Sequence, residues 1–136
     1  MPADLNLLLE NIHWSFAEPV PESPSRFIEA SRAYALDIGT QEQTQQLEKK
    51  LPFSDVLLEY ERYLRAPSGE WQSVVEQMRI VGSGFSRLTG AELLWELHMG
   101  CAHTIGQSDQ HFFEGLELVR SGTDQTLPVY RVLLGS

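Results

Sequence analysis

His103, Asp109, His111 and Glu114 sit close together in the chain and are the residues best suited to chemistry. An imidazole beside a carboxylate can pass a proton, and the same groups can ligate a metal ion. They belong to TGAELLWELHMGCAHTIGQSDQHFFEGLEL, residues 89–118. This stretch holds three of the four histidines, the only cysteine and the five acids Glu92, Glu96, Asp109, Glu114 and Glu117, with no lysine or arginine. Used as an acid–base or metal-dependent centre, the first four residues would make the protein a small enzyme.

Helical geometry opposes the simplest metal site. Zinc-binding histidines on one helix usually stand four residues apart, on one face. His98 and His103 are five apart, about 140° around the axis, so a straight helix points them at different places. No tightly bound transition metal and no cofactor is expected. His98 reads as a half-buried helix residue with a hydrogen-bond partner, and His103 as a solvated one. Cys101 falls within an apolar helix face, where a free cysteine packs as a small hydrophobe rather than serving as an exposed nucleophile. Glu114 falls among the apolar positions of an alternating segment, where a buried unpaired carboxylate would be costly. Gly115 offers the relief of a bulge that re-aims its neighbours.

The elements that must carry these residues follow from pattern. Thr89 and Glu92 have capping-box spacing, which predicts a helix from Gly90 to about Thr104, with Leu93, Leu94, Leu97, Cys101 and Ile105 on its apolar face. Residues 111–119 predict a strand, and so do 129–134, where VYRVLL is apolar on both faces apart from Arg131. Such a central strand needs two neighbours. Residues 72–81 therefore read as a third strand, although Trp71, Val74, Val75 and Met78 also match a helix. Upstream, apolar spacing predicts helices at about 5–13 and from Ser25 to Gly39, a short helix in 40–50, and a helix after Ser54 with Val56, Leu57, Tyr60, Tyr63 and Leu64 inward. AEPVPESPS, residues 17–25, reads as an extended loop, and Ala66-Pro67-Ser68-Gly69 as a turn. The expected fold is α+β: N-terminal helices, then a strand–helix–strand–strand unit whose three-stranded antiparallel sheet has the C-terminal strand in the middle. All 136 residues are expected to form one domain.

Composition narrows function further. The chain is 42% hydrophobic, as globular proteins are, and carries 10 Lys+Arg against 19 Asp+Glu, a formal charge of −9. Such a surface repels phosphate backbones, so no nucleic-acid role is expected. No apolar run approaches a membrane span, and the N-terminus lacks a leader pattern, so a cytoplasmic location is expected. No phosphate-binding glycine loop, nucleophile elbow or triad-like spacing is present. The chain therefore reads first as a protein-binding module for a basic partner, in one form an inhibitor of the bacterial immunity type that covers a cationic toxin. The contact face would use Glu92, Trp95, Glu96 and Glu117, with exposed aromatics among Trp14, Trp71 and Trp95 as anchors. The enzyme built on His103, Asp109, His111 and Glu114 is the alternative.

Overall fold

The computed structural model describes residues 6–41, 43–107 and 110–135. They form a mixed α+β fold: β1 (Leu7–Leu8), β2 (Trp14–Ser15), α1 (Pro24–Asp37), α2 (Thr44–Glu48), β3 (Asp55–Arg65), β4 (Trp71–Val81), α3 (Gly90–Cys101), β5 (Phe112–Arg120) and β6 (Val129–Gly135). Six strands make one sheet in the order β1-β5-β6-β3-β4, with β2 also paired to β5. The sheet is mixed, since β6 runs antiparallel to β5 but parallel to β3. The expected β4–α3–β5–β6 succession is present, and β6 is an interior strand. Its second neighbour, however, is β3 rather than β4. That corrects the three-stranded antiparallel sheet.

The correction originates in residues 55–65, which form a strand where a helix was expected. Their apolar residues fit both periods. Val56, Leu58 and Tyr60 alternate inward and are buried, whereas Tyr63 and Leu64, inward-facing in the helical reading, are exposed. Pairing decides between the two. All of β3 pairs with β4, from Asp55 opposite Val81 to Arg65 opposite Trp71, and Leu57–Glu59 also pairs with β6. A strand gains this cross-strand packing on both sides, which an isolated helical periodicity cannot match. The hairpin turn is closed by Gly69 N–H donating to Ala66 C=O at 2.8 Å, with Gly69 at φ 89°, a conformation that glycine adopts without strain.

Described residues of the predicted 5–13 helix are not helical. Leu9 adopts φ 56°, which ends any helix, and the segment lies against β5 as two short pieces. Leu7 and Leu8 pair with Glu117 and Leu116, while Trp14 and Ser15 pair with Phe113 and Phe112. Between them β5 bulges at Glu114–Gly115, with Gly115 at φ 132°. A Cβ on Gly115 would stand 3.2 Å from the Glu10 Cα, so glycine also permits the close approach of the N-terminal segment.

Two helices, where four were expected, precede β4 among the described residues. The first is capped by Ser23 rather than Ser25, because Ser23 Oγ accepts from Arg26 N–H and Pro24 takes the first helical position. The capping box of α3 is formed as its spacing implies: Thr89 Oγ1 accepts from Glu92 N–H at 3.1 Å, and Glu92 Oε1 accepts from Thr89 N–H at 3.0 Å. The inward side of α3, with Leu93, Leu94, Leu97 and Cys101, joins Val56, Leu58, Leu116 and Val132 of the sheet in one core. Gln43 ties the helical layer to the N-terminal segment. Its side chain accepts from His13 N–H at 2.8 Å and donates to His13 C=O at 2.7 Å and Ser31 Oγ at 2.9 Å. Among the described residues no helix is long and apolar enough to cross a membrane.

Candidate functional site

The proline loop and α1 border a groove of 720 Å³. Pro19 and Pro21 restrict the loop to extended backbone, and Trp95 on α3 fastens it by donating its indole N–H to the Pro21 carbonyl at 2.8 Å. Ala30, Ala33 and Tyr34 supply the helical wall, with Trp14 and Val20 completing the apolar part. Trp14 and Tyr34 meet edge to face, 5.6 Å between centroids. Small alanines on the helix leave the space open.

Charge gives the groove its character. Glu18, Glu22, Glu29 and Asp37 line it, with Arg26 the one cation among the described lining residues. Arg26 is already paired with Glu29 at 2.8 Å, on a well-exposed rim where such a pair contributes little stability. Among the described residues, no basic side chain lies within ion-pair distance of Glu18, Glu22 or Asp37. The Tyr34 phenol is pushed above its ordinary pKa by burial and then by the nearby Glu18 charge, so it stays neutral at physiological pH.

The groove is braced from beneath by His98. The ring is fully buried, more deeply than the sequence implies. Trp14 Nε1–H donates to His98 Nδ1 at 3.2 Å, and an indole can only donate, so the imidazole proton sits on Nε2. That nitrogen donates to the Phe16 carbonyl at 3.1 Å. Burial lowers the His98 pKa, outweighing the backbone hydrogen bonds that favour its charged form. His98 is thus a neutral bracket that positions Trp14 and the start of the loop.

The residues singled out in the sequence separate in space. Glu92, Trp95 and Glu96 lie together on α3, where burial and then the neighbouring Glu92 raise the Glu96 pKa. Glu117 stands on the other face of the sheet, opposite Arg131 on β6. Of the suggested aromatic anchors, Trp14 is buried, Trp95 is half-buried against Pro21, and Trp71 alone is 67% exposed. His103 is exposed just beyond α3, and Asp109 lies outside the described residues. Glu114 is turned to solvent at the bulge, and lines a second cleft with Glu10, His13, Tyr34 and Phe112. His111 hydrogen-bonds Ser15 at 2.8 Å, a partner 96 residues away, and stacks on Phe112. Among the described residues no three His, Cys, Asp or Glu side chains converge as metal ligands would. Cys101 is buried in the core, where desolvation pushes its thiol pKa up to about 12.

Glu18, Glu22, Glu29, Tyr34 and Asp37 did not stand out in the sequence. The available signal was AEPVPESPS itself: a proline-stiffened acidic loop running straight into a capped helix is a ready-made wall. Comparison with protein-family models, curated proteins and solved structures returns no match.

Proposed function

We propose that the protein is a binding module that receives a basic segment of a partner protein in the groove between residues 18–22 and α1. The observation that carries this reading is the lining: Glu18, Glu22 and Asp37, with no ion-pair partner among the described residues, rim an apolar, aromatic floor. A lysine or arginine side chain suits such a place. Its alkyl stem can lie along Pro19, Val20, Ala30 and Ala33 while its charged head meets Glu18, Glu22 and Asp37. The net charge of −9 would steer a basic partner from a distance. Glu92 and Glu96 flank Trp95, which holds the loop, so they extend the acidic surface from the groove onto α3. A half-buried carboxylate beside another is unfavourable when left alone, and a partner cation would relieve it. An inhibitor that covers a cationic protein is one form this function can take.

The test is titration of the protein with a short arginine- and lysine-rich peptide and with a glutamate-rich control, followed by amide chemical shifts. Shifts clustered on residues 18–37 with the basic peptide alone support the reading. Binding of both peptides, or shifts confined elsewhere, refutes it.

The second reading, an enzyme using His103, Asp109, His111 and Glu114, has the Ser15–His111 contact in its favour, a hydroxyl beside a base. Ser15 is nevertheless buried, and its Oγ also accepts the Ala17 N–H at 3.1 Å, as a hydroxyl that closes a turn does. The groove is the stronger proposal.

A further inference from the structure

The β3–β4 hairpin reaches past the rest of the sheet. The neighbouring strand β6 pairs with β3 only at Leu57–Glu59, whereas β3 and β4 stay paired out to Arg65 and Trp71. On the far side of β4, no strand among the described residues pairs with it. An edge of this length is a template for another strand unless charged side chains, above all lysine, or proline or a bulge blunt it. β4, WQSVVEQMRIV, contains no lysine or proline, and its pairing with β3 is continuous. Its two charges are already met within the hairpin, Glu76 by Arg62 at 2.6 Å and Arg79 by Asp55 at 2.6 Å. Exposed apolar side chains gather on the same arm: Tyr63, Leu64, Trp71 and Val75.

We propose that β4 is the interface of a symmetric homodimer, pairing antiparallel with β4 of a second copy about a two-fold axis at Val75. A second copy is the occupant because β4 complements itself. With Val75 on the axis, Val75 meets Val75 of the other copy, Ser73 meets Gln77, and Trp71 meets Arg79, an aromatic face beside a guanidinium. All of these side chains lie on one face of the strand. On the other face Val74 meets Glu76 and Gln72 meets Met78, so no like charges stand directly opposite. The arm is also nearly neutral: residues 61–76 hold Glu61, Glu70 and Glu76 against Arg62 and Arg65. A basic partner would find no such complement here. The pairing is isologous, so it closes at two copies, and it joins the two sheets into one.

Self-association and groove binding respond oppositely to salt. Two copies charged −9 repel each other, so screening strengthens the dimer, while it weakens an acidic groove's hold on a basic partner. The experiment is sedimentation velocity at about 50 mM and about 500 mM NaCl, where the Debye length shrinks several-fold. The wild type is expected to dimerise more at high salt, and Val75→Lys, which sets like charges on the axis, is expected to weaken dimerisation at least ~10-fold with an unchanged circular dichroism spectrum. Val75→Cys provides an independent reading, because the native Cys101 is buried and does not compete. Under mild oxidation Val75→Cys is expected to form a covalent dimer and Gln77→Cys is not. A wild type that stays monomeric at both salt concentrations overturns the proposal. So does a dimer that neither responds to Val75→Lys nor crosslinks through Val75→Cys.

Discussion

Replacing His98 by leucine removes the acceptor of the Trp14 indole N–H and the donor to the Phe16 carbonyl in one step. Both groups lie in a region with no exposure to share with water, since Trp14, Phe16 and His98 are all buried. Each orphaned group costs about 1–3 kcal/mol, so His98→Leu should lower stability by about 2–6 kcal/mol at pH 7. The pH dependence identifies the cause. The folded-state pKa of His98 is below its ordinary 6.5, because burial disfavours the imidazolium. Below pH 6.5 the unfolded chain therefore binds a proton that the folded chain refuses. Stability is full above 6.5 and falls as the pH drops from there toward the folded-state pKa, by at most about 1.4 kcal/mol per pH unit. The leucine variant lacks this loss. Urea unfolding followed by tryptophan fluorescence between pH 5.5 and 7.5 should show the gap between wild type and variant narrowing on acidification. A gap that widens would mean that the fold favours the charged ring, and a constant gap that burial does not disfavour it; either result contradicts the neutral His98 bracket.

Three further substitutions probe other parts of the structure. Leu97→Ala truncates a fully buried side chain between α3 and the sheet and should cost about 2–5 kcal/mol in chemical denaturation; a loss below about 0.5 kcal/mol would contradict that placement. Gln43→Ala strands the His13 backbone N–H and C=O and the Ser31 hydroxyl, and should cost about 2–5 kcal/mol, with increased amide exchange at His13. Glu96→Gln should raise the melting temperature at pH 7 by less than about 4 °C, since the carboxylate is raised in pKa by burial and by Glu92. With a raised folded-state pKa, the wild type recovers stability as the pH falls toward 4.5, so the benefit should vanish there.

Local signals carried the parts of the fold that local chemistry decides. Thr89 and Glu92 cap α3 in the spacing that announces a helix start, and Gly115 marks the bulge that releases Glu114 to solvent. Residues 72–81 fit two readings, and the need of a central strand for a second neighbour selects the strand; the element is a strand, but it pairs with β3 and not with β6. Residues 55–65 went the other way, because Val56 and Tyr60 satisfy a helical period as well as an alternating one, and only the pairing with β4 and β6 separates the two. The N-terminal leucines have helical spacing, yet Leu9 takes a left-handed conformation and the segment edges β5 instead. The groove was out of reach for a different reason. Glu18, Glu22 and Asp37 are unremarkable along the chain and become a set only when α1 folds back beside the proline loop. His98 illustrates the same limit: its spacing from His103 predicts that the two diverge, but its burial against Trp14 depends on β2, which lies 84 residues away from it.

The central claim is that the groove recognises positive charge, and the rate of association with a basic peptide tests it most directly. Stopped-flow mixing across a range of ionic strength should show the wild-type on-rate falling as salt rises, because screening removes the steering field. Glu18→Gln/Glu22→Gln/Asp37→Asn should slow association at low salt at least ~10-fold and flatten the salt dependence, with no loss of stability. Glu117→Gln, on the opposite face of the sheet, should change the rate little. Equal rates for the triple variant and the wild type, or a larger effect from Glu117→Gln than from the groove substitutions, would contradict the account.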